Sequence, residues 1–133
     1  MYIALDTNIF INIFNGQSEA DICYEAIAKA LKSGHHCMVS ASAITDIYYI
    51  LNKKIGSTDA HAAISALLDF TRIFDVNEKD VKAALSSEMK DFEDAVFVKA
   101  ARRAGAELIL TYNLKDFAKS DITTMTPNEF IRS

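Results

Sequence analysis

The 133-residue sequence contains no tryptophan, a single proline (Pro127), four glycines and only two cysteines. So little proline and glycine rules out collagen-like and flexible-linker classes. Two cysteines with no C-x-x-C spacing make no disulfide framework, and Cys23 and Cys37 read as free, buried thiols. No apolar run approaches the roughly 18 residues that span a bilayer. The opening Met1-Tyr2-Ile3-Ala4-Leu5-Asp6 lacks a basic segment and meets an acid at once, unlike a secretory leader. A soluble, cytoplasmic chain is the expectation. Basic excess is also missing: 14 Lys and Arg stand against 18 Asp and Glu, unlike a general nucleic-acid binder.

Half of the residues are hydrophobic, enough for a core without disulfide or metal staples at this length. The length and the absence of a linker or repeat predict one domain, residues 1–133. Short apolar runs alternate with helical patterns. Strands are expected at 2–5, 36–39, 72–75, 107–111 and, on an edge, 123–125. Helices are expected at 9–14, at 19–32 with a stripe of Ile22, Ala26, Ala30 and Leu31, and from Ser40–Ser42 to about 54. Others are expected at 60–70 capped by Thr58 or Asp59, after Asn77 with Val81, Ala84 and Leu85 inward, at 91–103, and at 128–131 behind Pro127. Strands separated by helices cannot pair as hairpins. They predict an α/β fold, a three-layer α/β/α sandwich around a mainly parallel sheet. In such sheets ligands bind beyond the carboxyl ends of the strands.

Four carboxylates fall near those ends. Asp6 follows the first strand directly, where it serves as a helix cap or as a ligand. Asp94 has Phe97, Val98 and Ala101 at i+3, i+4 and i+7, so its carboxylate lies in line with an apolar face. A buried carboxylate needs a partner, a proton or a cation; Asp91 suffices as the cap of that helix. Asp46 lies early in an otherwise apolar helix, as a dipole-complementing acid or as a ligand. Asp116 follows the fourth strand in a loop. Without these four, acids and bases balance at 14 each. Several carboxylates in one cleft repel, and a divalent cation relieves the repulsion. Oxygen-only ligands select Mg²⁺ or Mn²⁺ over zinc. Such a site suits phosphodiester hydrolysis.

The ordered set Leu5-Asp6-Thr7-Asn8, Ser40-Ala41-Ser42 with Asp46, Asp91-Phe92-Glu93-Asp94-Ala95, Thr111-Tyr112-Asn113-Leu114-Lys115-Asp116-Phe117 and Thr126-Pro127-Asn128-Glu129-Phe130 resembles the PIN domain. The resemblance covers essentially the whole chain. It implies a Mg²⁺- or Mn²⁺-dependent ribonuclease, with many small members serving as VapC-like toxins that pair with an antitoxin protein and commonly dimerise. Carried over by position, Asp6 and Asp94 become the metal ligands, with Asp46 and Asp116 completing the catalytic set. Asn8, Thr111, Asn113 and Lys115 become substrate-binding residues. Two positions depart from the family pattern: Asp46 stands where Glu is usual, and Asn113 where Asp is common.

Lys115 and Arg102 or Arg103 are expected to hold phosphates, with Lys53, Lys54, Lys99 and Lys119 as further cations. At least one ring of Tyr48 and Tyr49 is expected in the core, the other being free to stack on a base. His35, His36 and His61 fit no zinc spacing. Two other classes stay open, a catalytically degenerate binding module of the same fold and an Asp-dependent phosphohydrolase. The second wants D-x-D, and here Asp6-Thr7-Asn8 supplies Asn.

Overall fold

The computed structural model describes residues 1–16 and 18–133. The elements run β1 (Tyr2–Leu5), α1 (Thr7–Asn15), α2 (Ser18–Lys32), β2 (His36–Ser40), α3 (Ala41–Ile55), α4 (Ser57–Leu68), β3 (Thr71–Phe74), α5 (Glu78–Leu85), α6 (Phe92–Arg103), β4 (Ala106–Leu110), β5 (Thr123–Met125) and α7 (Pro127–Arg132). The sheet order is β3-β2-β1-β4-β5, and every pairing is parallel. The first strand is therefore central, and β3 and β5 are the edges.

Strand alternation divides the core. Ile3, Leu5, Val39, Leu108 and Leu110 face one way, against Phe10, Ile27, Ile47, Leu67 and Phe130 from α1, α2, α3, α4 and α7. Ala4, Met38, Phe74 and Ile109 face the other way, against Ala84 of α5, Ala95, Val98 and Ala101 of α6, and Phe117. The period-two pattern of each strand thus produces the three layers. No helix among the described residues is long and apolar enough to cross a membrane.

Local chemistry sets the boundaries. Asp6, Ser40, Asn77, Asp91 and Thr126 cap α1, α3, α5, α6 and α7 through their side chains. The fourth helix differs from expectation. It starts at Ser57, and Gly56 stands before it without a side-chain cap. With φ at 83°, Gly56 makes the sharp joint between α3 and α4, so Thr58 and Asp59 fall inside the helix. The third strand is one residue earlier than expected, and Asp75 leaves it to meet Arg103.

Two helix faces are also rotated from the sequence reading. On α2 the buried stripe is Ala20, Cys23, Ala26, Ile27 and Ala30, while Leu31 is 40% exposed. On α5 Ala84 and Asp80 point inward, and Val81 and Leu85 point out. The reason lies in α6. Arg103 donates to both carboxylate oxygens of Asp80, Nε to Oδ1 at 3.0 Å and Nη2 to Oδ2 at 2.9 Å, and to Asp75 at 2.9 Å. That pairing of a buried Asp80 with a partly exposed Arg103 fixes the face of a short helix that has little apolar surface of its own. Both cysteines are free and buried, as expected.

Candidate active site

The carboxyl edge of the sheet opens into a cleft of about 400 Å³. Asp6 stands at the end of the central strand. Its carboxylate accepts from the Thr7 N–H at 2.7 Å and from the Thr111 hydroxyl at 2.7 Å. Thr111 is wholly buried just past β4 and also takes the Asn113 N–H at 3.0 Å and the Asn8 side-chain amide at 3.4 Å. Asn8 in turn accepts from the Tyr112 N–H at 3.4 Å. Asn8 and Thr111 therefore form a bracket behind Asp6 that joins the first turn of α1 to the end of β4 and fixes the orientation of the carboxylate.

Asp94 enters from the first turn of α6. Asp91 takes the cap, accepting the Asp94 N–H at 2.8 Å, which leaves the Asp94 carboxyl free to face the cleft. Asp46, on the second turn of α3, is exposed and lines the same cleft with Asp6 and Asp94. Asp116 lies in the β4–β5 loop beyond the cleft lining, exposed, and close enough for its charge to act on both Asp6 and Asp94. The four acids, 110 positions apart at the extremes, meet at one end of the sheet.

Electrostatics agree with the geometry. Burial raises the Asp6 carboxyl above its ordinary range, against the two hydrogen bonds that favour its charge, and Asp116 adds to the rise. Asp94 is pushed up to about 7, first by burial and then by the charges of Asp91, Asp6, Asp116 and Glu93. No Lys, Arg or His lines the cleft among the described residues. A concentration of negative charge without a local counter-charge is the environment a cation relieves.

The donor set is oxygen only: carboxylates, with the Ser42 and Thr7 hydroxyls on the same walls. No three His, Cys, Asp or Glu side chains among the described residues close into a cage. Mg²⁺ keeps several waters and needs one or two carboxylates rather than a full protein cage, so this open set fits a small hard cation.

The expected phosphate-holding arginines are elsewhere. Arg103 is committed to Asp80 and Asp75, and Arg102 to Asp121, which Lys99 also approaches at 3.5 Å. Eight residues of helix separate Asp94 from Arg102, roughly 12 Å of rise, which carries both arginines to the far end of α6. Lys115 is exposed and makes no ion pair among the described residues. Tyr48 packs partly into the core and meets His61 edge-on at 5.0 Å, while Tyr49 is 61% exposed beneath Lys53.

Sequence reasoning did not pick out Glu93, Ser42 and Phe92 as cleft residues, or the apolar wall of Val76, Val81, Val96 and Phe97. Ser42 and Glu93 were legible as neighbours of Asp46 and Asp94. The apolar lining was not, because hydrophobic periodicity places Val81 and Phe97 in the core.

The family model of the PIN domain matches residues 2–115. The chain belongs to the PIN domain family. Among solved structures it shares the fold of VapBC2 from Rickettsia felis, bound to a promoter DNA fragment, at a TM-score of 0.75 with 16% identity over 95% of this chain and 98% of that one. A toxin–antitoxin complex from Klebsiella pneumoniae gives 0.71 with 22% identity over 94% and 97%. VapC20 from Mycobacterium tuberculosis, a sarcin–ricin-loop-cleaving toxin, gives 0.63 with 19% identity over 87% and 93%. No curated protein matches the chain in sequence. The PIN match ends one residue short of Asp116, so the first three acids lie inside it and the fourth just outside.

Proposed function

We propose that this PIN domain is a divalent-metal-dependent ribonuclease that hydrolyses RNA phosphodiester bonds, and that it is the toxin of a type II toxin–antitoxin pair acting in the cytoplasm. The observation that carries the reading is the meeting of Asp6 and Asp94 in one cleft that no Lys, Arg or His lines among the described residues. Asp6 and Asp94 would hold Mg²⁺ or Mn²⁺, and the ion would supply charge neutralisation at the phosphoryl group and acidify water at neutral pH.

The remaining roles fall to the chain's own side chains. Thr111, backed by Asn8, keeps Asp6 aimed into the cleft. Asp46 and Asp116 flank the pair and accept the proton that hydrolysis releases. Asn113 and Lys115, exposed on the loop after β4, hold the RNA backbone on the Asp116 side. Shape supports the partner: solved structures with this fold include toxin–antitoxin complexes. An antitoxin protein and a second copy of the chain are the proposed partners.

The test is cleavage of labelled single-stranded RNA with Mn²⁺ or Mg²⁺ and with chelator, beside Asp6→Asn and Asp94→Asn. The expected result is metal-dependent cleavage lost in both variants, which remain folded. Full activity in Asp94→Asn would remove it from the ligand set. Direct Mn²⁺ binding without cleavage of any RNA would favour a binding module of the same fold.

A further inference from the structure

The active cleft is lined by two unlike kinds of side chain: the carboxylates of Asp6, Asp46 and Asp94, and the apolar groups of Val76, Val81, Phe92 and Phe97. Phe97 is fixed in the core by Phe74 and Phe117, at ring-centroid distances of 5.8 and 6.1 Å. Phe92 is not. It belongs to neither core cluster, has no aromatic partner among the described residues, and is 49% exposed.

Phe92 is also the first residue of α6, two before Asp94. Two residues apart, they leave the helix in different directions, about 3 Å apart along its axis, yet both line one cavity. A phosphate gains nothing from a phenyl ring. The part of a polynucleotide with a flat apolar face is its base, and only an unpaired base can offer that face to a side chain.

We propose that Phe92 is a specificity-determining residue whose ring stacks on the unpaired base next to the scissile phosphate, in the cleft that Val76 and Val81 also line. The inference rests on the ribonuclease reading and deepens it. The acids engage the phosphate, and the ring selects single-stranded over duplex RNA at the adjoining nucleotide. Stacking on a bare ring tolerates any base, so Phe92 confers selectivity for strandedness rather than for sequence.

The test is equilibrium binding of a fluorescein-labelled, mixed-sequence single-stranded RNA, with Ca²⁺ as the oxygen-ligating ion. The same RNA with every base removed is measured beside it. Wild type is compared with Phe92→Ala and Phe92→Trp, each checked for unchanged melting temperature and molecular size. Phe92→Ala should bind the intact RNA at least about ten-fold more weakly, and Phe92→Trp should restore the affinity. Abasic RNA should bind wild type and Phe92→Ala equally weakly, since the two deletions remove one interaction.

Unchanged affinity of Phe92→Ala for intact RNA overturns the inference, as does an equal loss on both RNAs. A Phe92→Ala protein that changes oligomeric state while keeping its RNA affinity makes the ring a protein contact and also overturns it. If the wild type binds neither RNA, the ribonuclease reading itself falls.

Discussion

At Asp94 burial and neighbouring charge act in the same direction, and the carboxyl is held up to about 7. In the unfolded chain it returns to its ordinary value near 4. Between roughly pH 4 and 7 the folded state therefore keeps a proton that the unfolded state has released, and stability falls as pH rises through that window. Asp94→Asn removes the penalty. The variant should stabilise the chelator-treated protein on the order of 1–2 kcal/mol at pH 8, after allowance for a cleft open to water, and by almost nothing at pH 4. Urea unfolding at the two pH values measures this. Thr111→Val tests the bracket behind Asp6. It keeps the side-chain shape but removes the donor to Asp6 and the acceptor for Asn113 and Asn8. Stability should fall by about 1–2 kcal/mol, and cleavage rate should fall at least ten-fold with the fold intact. Asp6 and Asp94 were legible because position after a strand, or helical spacing against an apolar face, marks a carboxylate as out of place. Asp116 joins them in the sequence only by its place after the fourth strand and by the family resemblance; the path of its loop, which carries it towards both, is set by no local rule.

The helices show where local rules stop. Caps were readable at Asp6, Asn77 and Asp91 because a side-chain acceptor before an apolar run satisfies the first free N–H groups. The inward face of α5 was misread, because hydrophobic periodicity assigned Val81 and Leu85 to the core. A pairing 23 residues away, Arg103 with Asp80, decides the rotation instead. Arg103→Met should leave the Asp80 carboxylate with the Asn77 N–H as its remaining partner and lower the urea midpoint of unfolding at pH 7. Arg103 holds the Asp80 carboxyl below its ordinary range. The pair's contribution is thus complete above about pH 4 and is lost as the pH falls through the lowered value. A second long-range device holds α7. The Lys29 ammonium donates to the carbonyls of Phe130, Ile131 and Ser133 at 3.0, 3.0 and 2.7 Å. Lys29→Met should fray this six-residue helix, seen as faster amide exchange at 128–133 with little change elsewhere.

Across the whole molecule, the α/β/α layering followed from strands that are separated by helices and so must lie parallel. The order β3-β2-β1-β4-β5 did not follow. It is set by which apolar faces pack together once the chain has collapsed, and several orders satisfy the same local patterns. Yet this order is what centres β1 and so places Asp6 between the contributions of α3, α6 and the β4–β5 loop. We propose that this convergence serves to hold a divalent cation. Calorimetric titration of the metal-free protein with Mn²⁺ tests it most directly, at pH 6 and pH 8, with Asp94→Asn alongside. Binding should be saturable, tighten from pH 6 to pH 8 as the ion displaces the Asp94 proton, and collapse in the variant. Binding of equal strength in Asp94→Asn, or no binding by the wild type at pH 8, would contradict it.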